Sequence, residues 1–249
     1  MEEYIKRRYD APAGLFQAEA AGLAWLRVSG GVPAVEVLAV DDHSITLEWL
    51  RTVPATTQAA EDFGRRLAFT HDAGAEAFGS PPAGYTGPSF IADLPMTTDP
   101  QPTWGVFFAS QRIWTHALAS RRDLGSDGLK VMEKLADRLA EGIFDDEAPP
   151  ARLHGDLWSG NVLFTAAGAT LIDPSAHGGH RISDLAMLSL FGAPHLERIF
   201  AAYEETSSHL PDGWRHLIAL HQVYPLLVHT VLFGGGYAHQ AVTAACQYL

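Results

Sequence analysis

The chain has 249 residues, 47% hydrophobic and 18% charged, enough to bury one large core or two smaller ones and unlike a disordered or fibrous protein. A formal charge of −12 argues against a general binder of nucleic acid or anionic membrane, which needs a basic face, but leaves room for a small anionic ligand held by local cations. The single cysteine, Cys246, precludes a disulfide framework within the chain.

In chain order, "EYIKRRY" (3–9) reads as a strand, broken afterwards by Pro12 and Gly14. "LFQAEAAGLAWL" (15–26) reads as a helix with Phe16, Ala20 and Leu23 on one face. "AVEVLAV" (34–40) and "SITLEWL" (44–50) form a strand pair around the polar turn Asp41-Asp42-His43. A helix over 58–74 follows, with Ala60, Phe63, Leu67 and His71 on one stripe. Residues 79–103, dense in Pro, Gly, Thr and Asp, read as a loop whose length suggests a function. Helices are expected near 104–121 and 127–143, the second carrying Leu129, Met132, Leu135, Ala136, Leu139 and Ile143 at core spacing. After "RLHGDLWSGN" come "VLF", a turn at Ala166-Ala167-Gly168, and "TLID", a second hairpin; from Ile182 onward the chain reads as helical.

The expected architecture is α+β, with a small sheet lobe over 1–50 and a mostly helical lobe over 51–249 that hosts one hairpin. The longest apolar segment, near 218–233, is interrupted by His221, Gln222, Pro225 and His229, so no membrane span of about 20 clean residues is expected. "MEEYIKRRYD" has acids and no apolar run, so it does not read as a secretory signal, and a cytoplasmic location is expected.

The chemistry concentrates around the second hairpin. Asp156 stands five residues before Asn161, and Asp173 lies twelve residues further on, where the hairpin returns. Two hard oxygen donors, Asn161 and Asp173, suit Mg²⁺, and Asp156 is then free to accept a proton from a substrate hydroxyl. Glu19 falls on the apolar face of its helix, where a carboxylate is costly unless a cation meets it.

"HGDLWSGNVLF…LIDPSAHGGHRISDLAM" resembles the fructosamine (ketosamine) kinase family, within the wider group of aminoglycoside- and choline-type kinases. "FQAEAAGL", "W..FF...RI" (Trp104 to Ile113) and "L..VYPLLVH..LFG..Y" (Leu220 to Tyr237) extend the resemblance over nearly the whole chain. It implies a two-lobed protein-kinase-like fold that uses ATP and Mg²⁺ to phosphorylate the 3-hydroxyl of a protein- or amine-linked ketosamine. By position it makes Asp156 the base and Asn161 and Asp173 the metal ligands. It also makes Lys6 the phosphate-contacting lysine with Glu19 as its partner, and Glu48, Trp49 and Leu50 the backbone segment facing adenine. His154 and Asp184 are expected to brace the catalytic loop.

Trp158, Trp104, Phe108 and Tyr85 are candidate sugar-facing aromatics, although the spacing around 104–108 equally marks a core. "AHGGHRISD" departs from the pattern of near relatives, which makes His177 a candidate acceptor contact; His177 and His180 lack the further ligands of a zinc site. Related kinases carry two strands and a phosphate-covering loop before the lysine strand. Lys6 is the sixth residue here, so the sheet lobe is expected to be N-terminally truncated, with an exposed edge. Two alternatives follow: a kinase-like nucleotide-binding module with little or no activity, or a kinase for another small amino-alcohol such as an aminoglycoside.

Overall fold

A computed structural model describes residues 2–249. The first strand, β1 (Glu3–Arg7), pairs antiparallel with β3 (Ser44–Glu48), which pairs antiparallel with β2 (Val37–Val40), giving the order β1-β3-β2. Helix α1 (Leu15–Leu26) packs beneath them and buries Phe16, Leu23 and Leu26 together with Ile45 and Leu47. Strand β1 is an edge, and Ile5 on it is half exposed.

Helix α2 (Thr57–Asp72) is capped by the Thr56 hydroxyl, which accepts from the Ala59 N–H at 3.1 Å. The segment 79–103 is more than a loop. It contains a tight hairpin, β4 (Ser89–Ile91) and β5 (Leu94–Met96), turned at Ala92 and Asp93. Three-residue strands are too short to show a period of two, so Pro and Gly on either side masked them. Arg8 at the end of β1 grips Asp93 with both guanidinium arms, which ties this hairpin to the sheet lobe.

The helix expected over 104–121 is divided. α3 (Trp104–Phe107) passes into a π-helical segment, Phe108–Trp114, and then α4 (Thr115–Ala119). Next comes α5 (Arg121–Ala140), which starts earlier and stops sooner than expected and is broken at Gly125. Strand β6 (Ala151–Leu153) pairs with β9 (His177–Gly179), a contact between distant segments. Between them β7 (Val162–Thr165) and β8 (Gly168–Leu171) form the expected hairpin. The rest is helical: α6 (Ile182–Phe191), α7 (Leu196–Thr206), α8 (Ile218–Phe233) and α9 (Tyr237–Ala245).

Two buried clusters hold the fold. One joins α1 and β3 to α2, the β7–β8 hairpin, α6 and α7 through Phe63, Phe164, Leu171, Leu185 and Tyr203. At the α2–α7 crossing, a Cβ on Gly64 would stand 2.3 Å from the Ile199 carbonyl oxygen, so only glycine permits this approach. Backbone bonds also tie the β7–β8 hairpin to the sheet-lobe side: Val35 N–H to Leu171 O at 3.0 Å and Val53 N–H to Phe164 O at 2.8 Å. The second cluster packs α3, the π segment and α5 against α8 and α9 through Phe107, Ile113, Met132, Leu135, Leu227 and Ala241.

One sequence expectation is revised by α8. The stretch Trp214–Phe233 does reach membrane-spanning length, with mean hydropathy 1.3. Half of it is buried inside the protein, and Leu220, Val223 and Leu227 belong to the second core. Its apolar character is accounted for by packing.

Candidate active site

The loop between β6 and β7 carries His154, Asp156 and Asn161, and the end of β8 delivers Asp173. Gly155 has φ of +82°, and a Cβ there would lie 2.1 Å from the Ser175 carbonyl oxygen, so the turn between His154 and Asp156 requires glycine. The buried Asp184 of α6 anchors this turn. It accepts the backbone N–H groups of His154 at 2.8 Å and Gly155 at 3.0 Å. His154 accepts the Asp156 N–H on Nδ1 at 3.2 Å, so its Nε2 carries the hydrogen and donates to Ile172 O at 2.8 Å. His154 thus lies within the loop, and Asp184 bonds its backbone from α6.

Behind Asp184 lies a support that the sequence reading missed. His71 of α2 is fully buried, with Nε2 at 3.2 Å from Asp184 and Nδ1 at 2.7 Å from the Tyr203 hydroxyl. Burial raises the Tyr203 phenol well above its ordinary value, so it is the donor to Nδ1, and His71 Nε2–H donates to Asp184. Burial lowers the pKa of His71 and so favours the neutral ring. Burial alone would raise Asp184, but the bonds from His71 and the loop amides hold it below the usual aspartate value. His71 sits on a stripe with Phe63 and Leu67, where nothing local separates it from ordinary core.

Asn161 donates from Nδ2 to the Asp156 backbone oxygen at 2.8 Å and its carboxylate at 3.1 Å, and more distantly to Asp173 O. Burial raises Asp156 above its ordinary value, with His154 and the Asn161 bond pulling it back. Asp173 adopts φ of +53°, a left-handed conformation that aspartate tolerates better than most residues. Its carboxylate is 2.9 Å from Lys6 Nζ, and the same Nζ is 2.9 Å from Glu19. Lys6, Glu19 and Asp173 therefore form one cluster, as the placement of Glu19 on an apolar face demanded. Burial pushes Glu19 up to about 7 against the opposing pull of Lys6.

The donor set fits Mg²⁺. Asn161 spends its amide hydrogens on Asp156 and Asp173, which leaves Oδ1 as a hard donor, and the Asp173 carboxylate is part exposed beside it. Among the described residues, no cluster of three or more His, Cys, Asp or Glu side chains is placed to hold a metal. His177 Nδ1 bonds Ser175 O, and His180 bonds Asp146.

Several clefts meet here. A polar cleft of about 370 Å³ is lined by Lys6, Arg8, Glu19, Asp156, Asn161 and Asp173. Another, of about 310 Å³, lies between the sheet lobe and the β7–β8 hairpin, walled by Tyr4, Leu47, Trp49, Leu50, Leu163 and Ile172, and reaches the first at Asp173. An apolar groove of about 340 Å³, with Met187, Phe191 and Phe233, also opens at Asp156 and shares Ala92 and Trp158 with the polar cleft. A narrow cavity of about 40 Å³ also ends at Asp156 and is lined by Phe108 and His177.

Two expected sugar-facing aromatics lie away from these clefts. Trp104 is 3% exposed, stacked between Phe108 at 4.9 Å and His221 at 4.6 Å, and lines none of these clefts; it is core because three rings fill the space between α3 and α8. Tyr85 lies apart from Asp156, its hydroxyl donating to Pro88 O. Glu48 and Trp49 border the second cleft, but the Trp49 N–H is spent on Glu2 O at 2.9 Å, so it cannot serve a ligand while β1 is paired. The Glu48 carboxylate accepts from the Glu36 N–H.

A family model described as fructosamine kinase matches residues 2–249. The chain belongs to the fructosamine kinase family. A probable ketoamine kinase from Thermus thermophilus is 34% identical over 235 residues, covering 94% of this chain and 82% of the relative. The crystal structure of a candidate fructosamine-3-kinase from Thermobifida fusca is 47% identical with a TM-score of 0.89, covering 98% of this chain and 84% of that one. A choline kinase from Streptococcus pneumoniae, 15% identical, superposes with a TM-score of 0.63 over 99% of this chain and 86% of its own, which shows the shared protein-kinase-like fold. The fructosamine kinase assignment makes the chain a kinase, and Asp156, Asn161 and Asp173 stand at the meeting point of its clefts.

Proposed function

We propose that the protein is a Mg²⁺- and ATP-dependent kinase that phosphorylates the sugar 3-hydroxyl of ketosamines. The observation that carries this reading is the position of Asp156, which lines both a polar cleft and an apolar groove. The polar cleft suits a nucleotide triphosphate and the apolar groove an acceptor, so the carboxylate borders both donor and acceptor. In the transfer, the acceptor oxygen bonds to the γ-phosphorus, the bond to the leaving oxygen of ADP breaks, and the hydroxyl proton passes to Asp156. Lys6, fixed by Glu19, meets the phosphates; Asn161 and Asp173 would hold Mg²⁺, which would supply neutralisation of the phosphate charge. Adenine occupies the cleft walled by Leu47, Leu163 and Ile172. His154 and Asp184 act through the loop they hold, because positioning dominates such reactions.

The test is ADP release over a panel of ketosamines and amino-alcohols, with and without Mg²⁺. Release should require a ketosamine and the metal, and should disappear in Asp156→Asn. Turnover only with an aminoglycoside or choline would assign a different acceptor. No turnover by folded protein that still gains thermal stability from Mg·ADP would mark a binding module.

A further inference from the structure

The narrow cavity behind Asp156 contains a feature that the phosphoryl-transfer chemistry does not use. Arg112 lines it, is 1% exposed, and forms no ion pair among the described residues. Its Nη1 donates to Thr97 O at 2.9 Å, and its guanidinium lies over the rings of Phe107 at 4.5 Å and Tyr224 at 5.4 Å. Nε and Nη2, the two nitrogens of one donor edge, have no partner. A buried donor pair left unsatisfied is costly, and such exceptions need a reason. Arg112 also sits in the π-helical segment Phe108–Trp114, whose neighbour Gln111 is pinned to Asp99 on both its amide groups. Departures from α-helical register of this kind are often found at functional sites.

His177 stands on the same cavity with a defined polarity. Its Nδ1 donates to Ser175 O at 2.8 Å, so Nε2 carries a lone pair, and burial, helped by Arg112, pushes the ring's pKa down to about 3. The wall thus offers a donor edge and a neutral acceptor. A hydroxyl can accept from the first and donate to the second. A carboxylate can only accept, and it would face the His177 lone pair and the carboxylates of Asp156 and Asp184, which line the same space. About 40 Å³ admits roughly three waters' worth of atoms, the size of a short polyol end and not of a whole ketosamine.

We propose that Arg112 and His177 set acceptor specificity by binding the terminal hydroxyls of a neutral sugar chain lodged in this cavity. The amine-bearing end then lies toward the open groove of Trp158 and Phe233. This inference rests on the ketosamine kinase reading and names the part of the acceptor that is recognised.

The experiment compares kcat/KM for a morpholine-derived fructosamine, its 6-deoxy analogue and the corresponding 6-uronic acid. Wild type should favour the parent over the deoxy compound by roughly 10- to 100-fold. In Arg112→Met the preference should shrink to within about threefold, with the nucleotide KM unchanged. His177→Phe, which removes the acceptor and keeps a ring, gives the same comparison if Arg112→Met does not fold. A merely structural role would lower all acceptors together and keep the ratio, which overturns the inference while the kinase reading stands. A wild-type preference for the uronic acid also overturns it. If no ketosamine is turned over, the kinase reading fails. Binding of the same three sugars by NMR then decides: a hydroxyl preference lost in Arg112→Met supports the assignment, and equal binding refutes it.

Discussion

Asp184→Ala removes the residue on which the turn carrying Asp156 hangs. Three donors converge on its carboxylate: His154 N–H at 2.8 Å, Gly155 N–H at 3.0 Å and His71 Nε2 at 3.2 Å. His71 and His154 are 0% and 1% exposed, so water does not reach the orphaned groups without rearrangement. Each unsatisfied donor costs about 1–3 kcal/mol, and partial hydration of the new space brings the expected total to about 3–5 kcal/mol. For a chain of this size, each kcal/mol lowers Tm by about 2–4 °C, so a fall of about 6–20 °C is expected. Turnover should fall by at least about 100-fold, because the backbone carrying Asp156 is no longer held. Asp184→Asn keeps one acceptor oxygen but turns an amide hydrogen toward a donor, and about half the loss in stability is expected. Thermal melts and urea titrations, read beside ADP release, check both. An Asp184→Ala protein melting within 2 °C of wild type and turning over within about threefold of it would refute the reasoning.

Lys6→Met leaves Glu19 and Asp173 facing each other without their cation. It should cost about 1–3 kcal/mol and abolish turnover. Adding Glu19→Gln should recover stability but not activity, in a double-mutant cycle followed by urea unfolding. Trp104→Phe should lower Tm while the acceptor KM stays constant, because Trp104 is core. Trp158→Ala should do the reverse, since Trp158 is 41% exposed and lines two clefts at Asp156. Burial depresses the pKa values of His71 and His221, that of His116 to about 4 and that of His177 to about 3. These groups take up protons on unfolding, so the stability they contribute is complete above about pH 6.5 and is lost as pH falls, by up to about 1.4 kcal/mol per unit for each histidine. Tm should therefore drop between pH 7.5 and 5.5, and a flat profile over that range would contradict the assignment.

Much of the site is legible in the chain because its spacing is local. Asp156, Asn161 and Asp173 are separated by one loop and one hairpin, and "VLF" and "TLID" around Ala166-Ala167-Gly168 leave little choice of pairing. Helix α1 occupies Leu15–Leu26, the whole of the expected run, since a Pro-Gly break precedes it and its apolar face is continuous. Glu19 on that face announced a cation, although only the folded chain could show that Lys6 also reaches Asp173.

Other features depend on partners far along the chain. The bond from His71 to Asp184 spans 113 residues, and without it His71 is one more member of a helix stripe. Strands β6 and β9, each three residues long, pair only after the catalytic-loop segment and the β7–β8 hairpin between them, and the β4–β5 hairpin gains its position from Arg8 gripping Asp93. The π-helical register at Phe108–Trp114 places Arg112 on the cavity, with Gln111 locked to Asp99 beside it, and no periodicity signals it. Residue types and spacings alone determined which groups could do the chemistry, because those groups lie on short, locally ordered elements. Only tertiary structure decided what supports them, which aromatics are core and what shape the clefts at Asp156 take, since burial and long-range hydrogen bonds exist only once the chain has closed on itself.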